Sequence, residues 1–147
     1  MREVKKTEHC AYQIHYHFVA PVKYRKAIFG VFDREQTLVD VCKEIEERYD
    51  IYFEQIGIDT NYVHFLINTA PKFSPSNIIQ IVKSIIAREL FKKHADLKRE
   101  LWGGELWADG YFVATVGEGG NKDVISIYVA NQGKDKKDSK QLRLFNF

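Results

Sequence analysis

Asn61-Tyr62-Val63-His64-Phe65-Leu66-Ile67-Asn68 reads as a strand with two unlike faces. Successive side chains of a strand point to opposite sides. Val63, Phe65 and Ile67 therefore share one face, suited to a core under helices. Tyr62, His64, Leu66 and Asn68 share the other. A histidine on the helix-free face is placed to hold a divalent metal or a phosphate. A half-buried strand histidine with one hydrogen-bond partner accounts for the same position.

The neighbouring segments extend this strand into a sheet. Asp59-Thr60-Asn61 carries turn chemistry, so residues 51–59 and 61–69 read as a hairpin. Before it, residues 33–49 read as an amphipathic helix, with Asp33 as N-cap, Glu35 in the first turn and an apolar stripe of Leu38, Val39, Cys42 and Ile45. Residues 10–22 read as a first strand in which Tyr12, Ile14, Tyr16 and Phe18 alternate with Gln13, His15, His17 and Val19, and which Pro21 ends. Residues 27–32 fit a short edge strand or a turn.

After the hairpin, Ser74-Pro75 opens a helix to about residue 94, with serine as N-cap and proline at its first position. Ile78, Val82, Ile85 and Ile86 face inward, and Lys83, Arg88, Lys92 and Lys93 face water. A turn over 97–102 and the Gly103-Gly104 break lead to a last strand over 105–116, rich in aromatics. Gly117 to Gly120 read as a flexible turn. Asn121 caps a helix through Gln132, and Gly133 stands at a helix stop.

The order predicts an α+β, ferredoxin-like (RRM-like) antiparallel sheet with two helices on one face, followed by a C-terminal helix. Residues 1–133 form the expected single domain, and 134–147 a charged tail.

Of 147 residues, 45% are hydrophobic, enough for a core. No apolar run approaches the roughly 20 residues of a membrane span, and the charged N-terminus lacks an apolar signal region. The expectation is a cytoplasmic protein with no membrane partner. Cys10 and Cys42 have no metal or redox spacing. The formal net charge of +2 excludes a uniformly basic, duplex-coating protein and confines any nucleic-acid site to a local patch.

Three further features bear on chemistry. In His15-Tyr16-His17 the two imidazoles share a strand face, a spacing that can serve one metal and that also arises by chance. Tyr128 and Gln132 stand four apart, on one face of the last helix. A tyrosine hydroxyl can attack a phosphodiester, but with a free pKa near 10 it needs an electrophile activated by metal, or a base. Packing with Val124 and Ile125 is the plainer reading of Tyr128. Basic residues mix with aromatics at Lys23-Tyr24-Arg25-Lys26 and from Arg88 to Lys93, as suits single strands; a solvated surface explains each run as well.

Four ordered stretches together resemble the single-tyrosine HUH family, the smallest insertion-sequence transposases of bacteria and archaea. They are His17-Phe18-Val19-Ala20-Pro21-Val22-Lys23-Tyr24-Arg25; Gly57 to Ile67; Leu101 to Phe112; and Val116-Gly117 with Ile127-Tyr128-Val129-Ala130-Asn131-Gln132-Gly133. The resemblance spans most of residues 10–133. It implies a dimer that cuts single-stranded DNA next to hairpins at element ends. Tyr128 is then the nucleophile that takes the 5′ phosphate, and the terminal helix is the element bearing it. His64 and Gln132 are ligands of Mg²⁺ or Mn²⁺. Lys23, Arg25, Lys83 and Arg88 are the basic residues expected to meet DNA.

The family motif is histidine, hydrophobic residue, histidine. Here its first position is Tyr62, and a neutral phenol is a poor ligand for Mg²⁺. Three explanations stay open: a weaker metal site, a contribution from His15 or His17 on the neighbouring strand, or a relative that grips hairpin DNA without strand transfer. An unrelated RNA-binding module using Tyr62 as a stacking platform is a further reading.

Overall fold

The computed structural model describes residues 4–6 and 10–116, together with the backbone of 143–146. Expectations for Gly117 to Gly120, for the helix over 121–132 with Tyr128 and Gln132, and for 134–140 lie outside the described residues.

The elements run β1 (Lys5–Lys6), β2 (Ala11–Tyr12), β3 (His15–Pro21), a 3₁₀ turn (Lys23–Arg25), α1 (Phe32–Arg48), β4 (Ile51–Ile58), β5 (Tyr62–Thr69), α2 (Pro75–Lys93), α3 (Asp96–Glu100), β6 (Phe112–Thr115) and β7 (Arg143–Asn146). The main sheet has the order β6-β3-β5-β4-β7, antiparallel throughout, and β1 pairs with β2 in a separate ribbon. The α+β architecture expected from the sequence is present. One strand falls in the expected tail: the backbone of β7 pairs with β4, with Gln55 opposite Asn146.

One sheet face carries the core. Phe18 and Ala20 of β3, Phe53, Ile56 and Ile58 of β4, and Val63, Phe65 and Ile67 of β5 are buried with Leu38, Val39, Cys42 and Ile45 of α1 and Ile78, Val82, Ile85 and Ile86 of α2. Both helices present the stripes that their spacing predicts. Truncating a ring such as Phe65 to alanine costs about 3–5 kcal/mol.

Helix starts divide into one expected and one not. The Asn77 amide donates to Ser74 Oγ at 3.1 Å, as a serine N-cap requires, with Pro75 following it. At α1 the expected cap is corrected: the N-cap is Val31, with no side-chain cap, and Asp33 lies inside the first turn. Glu35 is turned back instead, accepting from the Gly30 amide at 2.9 Å. Gly30 has φ +104°, a conformation that a side chain would strain.

Two strands are shorter than expected. The first divides into β2 and β3. The last is interrupted: Trp107 forms an isolated antiparallel bridge with Val22, and the regular strand is confined to β6. Trp107 is 7% exposed, and its indole N–H donates to the Lys83 carbonyl at 2.9 Å. The aromatic content that reads as strand propensity is here used against a helix. Residues 27–32 form no strand and lead into α1. Among the described residues, no helix is long and apolar enough to cross a membrane.

Candidate active site

The second face of the sheet is assembled by register. On β5 it presents Tyr62, His64, Leu66 and Asn68, as the alternation requires. Opposite them on β3 stand Pro21, Val19, His17 and His15. On β4, Gly57 faces His64 and Gln55 faces Leu66. On β6, Phe112 faces Val19 and Ala114 faces His17. His15 and His17 thus lie on the side of His64, away from the helices.

His17 is diagonal to His64 across the β3–β5 boundary, a separation that aromatic side chains bridge. Its Nδ1 lies 2.6 Å from His64 Nε2. The rings are stacked, with centroids 4.7 Å apart and planes at 18°. His17 is 3% exposed and His64 6%. Burial, and then the neighbouring His17, push the His64 imidazole down to about 3. His64 is therefore neutral near pH 7, the state in which imidazole binds metal. Whichever tautomer it adopts, its buried Nδ1 has no hydrogen-bond partner among the described residues.

Tyr62 is built differently. It is 2% exposed and packs with Val19, Phe112 and Ala114. Burial, followed by the negative charge of Asp59, raises its hydroxyl well above the usual phenol value. It is a protonated packing residue. A buried ring offers no face to a base, so the stacking-platform reading is corrected here.

His15 pairs with Glu54 Oε1 at 3.2 Å. Asn68, opposite His15, is 1% exposed, and its Oδ1 has no hydrogen-bond partner among the described residues. Among the described residues, no cluster of three or more His, Cys, Asp or Glu side chains could hold a metal. The donor set converging here is two imidazole nitrogens, His17 Nδ1 and His64 Nε2. That pair fits a divalent ion that accepts nitrogen, Mn²⁺ more readily than Mg²⁺, which prefers an oxygen shell.

The basic residues divide into two groups. Lys23 Nζ lies 2.7 Å from Glu105 Oε1 and 4.0 Å from Asp109 Oδ1. Its pKa is raised, chiefly by the hydrogen bond to Glu105. Lys83 is part-buried rather than free in water: its ammonium donates to the Ala108 carbonyl at 2.9 Å, and burial lowers its pKa. Residues 105–109 therefore tie Lys23 and Lys83 together. Arg88 is exposed on α2, with Glu89 at 3.8 Å. Arg25 and Tyr24 hold φ of 54° and 57°, sparsely populated for residues with a side chain. Such strain persists only where the surroundings impose it.

Sequence reasoning did not anticipate Arg34, 5% exposed at the start of α1. Its guanidinium donates to Ile28 O at 2.8 Å, to Asp96 at 2.7 Å and to Glu100 at 2.6 Å. It fastens α3 and the approach to the Gly103-Gly104 break onto α1. An arginine near a helix start gives no signal in sequence, because its carboxylate partners lie more than 60 positions away.

Comparison with known proteins gives the family. The family described as "Transposase IS200 like" matches residues 10–132, and this chain belongs to it. The ISDra2 transposase TnpA of Deinococcus radiodurans is 29% identical over 130 residues, covering 88% of this chain and 91% of that protein. The IS200 transposase of Salmonella typhimurium is 26% identical over 145 residues, covering 98% and 93%. Among solved structures, a Deinococcus radiodurans protein described as a transposase superposes with TM-score 0.74 and 28% identity, over 87% of this chain and 97% of that one. A REP-associated tyrosine transposase bound to a REP hairpin shares the fold, with TM-score 0.54 and 11% identity, over 89% and 75%.

Proposed function

We propose that this chain is a DNA transposase that cuts and rejoins single-stranded DNA at insertion-sequence ends through a 5′-phosphotyrosine intermediate. Tyr128 is the nucleophile. Its hydroxyl oxygen bonds to the scissile phosphorus and gives up its proton, while the bond from phosphorus to the 3′ oxygen breaks. That oxygen takes a proton and leaves as a free 3′ hydroxyl. Rejoining is the reverse attack by a 3′ hydroxyl, which releases the tyrosine, so no ATP is required.

His64 and Gln132 are the proposed ligands of Mg²⁺ or Mn²⁺. A divalent ion held there would polarise the scissile phosphate. Lys23, Arg25, Lys83 and Arg88 are the proposed phosphate contacts, and the partners are hairpin-bearing single strands and a second copy of the chain. The observation that carries this reading is His64 itself: a buried, neutral imidazole at the second histidine position of the motif, on the helix-free face of a chain from this family. The hairpin bound by the REP-associated relative supports a structured DNA partner.

Tyr62 favours a second reading, because a protonated phenol stands where the family carries its first histidine. In that reading the protein is a catalytically weakened or domesticated relative that binds hairpin single strands without strand transfer. Denaturing gels separate the two. Single strands from the DNA flanking the gene, incubated with Mn²⁺, should be cleaved by the wild type and left intact by Tyr128→Phe, which still binds them. Hairpin binding that is unchanged by chelator, with no cleavage, would establish the second reading.

A further inference from the structure

We propose that His17 joins His64 as an imidazole ligand of the divalent metal, so that the site is a two-histidine clamp across β3 and β5 rather than a pair within β5. This rests on the metal-assisted reading above and specifies which residue of this chain completes it.

The argument begins with the two nitrogens. His17 Nδ1 and His64 Nε2 are directed at one another at 2.6 Å, both rings nearly withdrawn from solvent. A hydrogen bond between them needs one nitrogen protonated and one bare. It also leaves His64 Nδ1 buried without a partner among the described residues. An unsatisfied buried polar atom costs about 1–3 kcal/mol.

A metal changes the first of these, while His64 Nδ1 keeps no partner among the described residues. With both facing nitrogens deprotonated, each lone pair has an acceptor. The protons then sit on the far nitrogens, where a liganding histidine ordinarily makes its outer hydrogen bond. Two nitrogens at adjacent corners of an octahedral ion with bonds of about 2.1–2.2 Å are about 3 Å apart. The rings therefore need to open by less than 1 Å, roughly, and their near-parallel planes permit this by sliding within the sheet face.

Surroundings distinguish His17 from the other candidates. Tyr62 is engaged by Val19, Phe112 and Ala114. His15 is drawn to Glu54. Beside the clamp the flanking strands present small positions, Gly57 opposite His64 and Ala114 opposite His17, so neither β4 nor β6 puts a large side chain directly opposite the pair.

Mn²⁺ alone is the probe, with the full chain and no DNA. Electron spin-echo spectroscopy of bound Mn²⁺ counts coordinated imidazole nitrogens, and free Mn²⁺ measured by electron paramagnetic resonance gives affinity. The wild type should show two nitrogens. His17→Gln should show one and bind at least tenfold more weakly, with an unchanged far-ultraviolet dichroism spectrum. Tyr62→Phe should keep both nitrogens and stay within about twofold in affinity, at the tolerance expected for a side chain outside the metal shell. One nitrogen in the wild type, or two in His17→Gln, overturns the proposal while leaving a metal-assisted enzyme intact. Two nitrogens in a wild type that never cleaves DNA would uphold the clamp and sink the strand-transfer reading instead.

Discussion

Nδ1 of His17 and Nε2 of His64 lie 2.6 Å apart, although 47 positions separate the residues in the chain. Strand pairing brings them together: Val19 stands opposite His64 and His17 opposite Leu66, so the two histidines meet on the diagonal of one sheet face. The contact couples a strand that looks merely structural to the strand that carries the family motif.

Position 62 gives the first prediction. Tyr62→His restores the family's motif and adds a third imidazole on the face that holds His17 and His64. Mn²⁺ affinity should rise about tenfold or more, the range over which metal-site changes act. The same change removes a ring packed with Val19, Phe112 and Ala114. Stability should fall by roughly 2–4 kcal/mol in metal-free buffer. Calorimetric titration and urea unfolding measure the two effects separately, and unchanged affinity would place position 62 outside the metal shell.

Acid should destabilise the metal-free protein through His64. Its folded-state value of about 3 lies below the usual 6.5. Above 6.5 both states are neutral and the group contributes no pH dependence. Between 6.5 and 3 the unfolded chain takes up a proton that the folded chain refuses, so stability falls as pH falls. The loss is on the order of a few kcal/mol at the bottom of that window. Urea midpoints from pH 7 to 4 in chelator should fall more steeply for wild type than for His64→Gln. Equal slopes would contradict the burial argument.

Arg34 should be a folding residue. Removing it leaves Asp96 and Glu100 without their common cation and the Ile28 carbonyl without its donor. Breaking a buried pair costs about 3–5 kcal/mol, and the partial exposure of both carboxylates moves Arg34→Ala to the lower end. Thermal denaturation reads this directly. A melting temperature within a degree of wild type would show the cluster to be ornamental.

The basic residues should separate by how their charge is already used. Arg88→Gln should weaken hairpin binding and lower the slope of log affinity against log salt by about one, the signature of one lost phosphate contact. Lys23→Gln should do less, because Glu105 already neutralises that ammonium at 2.7 Å. Lys83→Gln should lower the melting temperature as well, because it releases the Ala108 carbonyl. Filter-binding titrations over a salt series decide this, and identical slopes for all three variants would remove these residues from the interface.

How much of this is legible in sequence depends on the range of the interaction. Alternation in 61–68 and the stripes of 33–49 and 74–94 encode their partners' direction locally, so the hairpin, both long helices and the two sheet faces follow from spacing. Ser74 caps as expected, since a cap acts within four residues. Asp33 does not, because the chain enters α1 two residues earlier, through Gly30 and Val31. Residues 105–111 are strand only at Trp107, which bridges Val22 while its indole donates to α2; β propensity records bulky, half-buried side chains, which other packing satisfies as well. The contact between His17 and His64 could be raised from their shared face but not fixed, since strand order and register are properties of the whole sheet. Tyr128 and Gln132 stand on the family resemblance alone.

Mass spectrometry of the covalent complex tests the central claim most directly. After incubation of the full chain with Mn²⁺ and hairpin-bearing single strands from its flanking DNA, nuclease and protease digestion would leave a nucleotide on one peptide. The account predicts a 5′-linked phosphate on Tyr128, absent when chelator replaces Mn²⁺ and absent in Tyr128→Phe. A nucleotide on another residue, or a DNA adduct that persists in Tyr128→Phe, would contradict it.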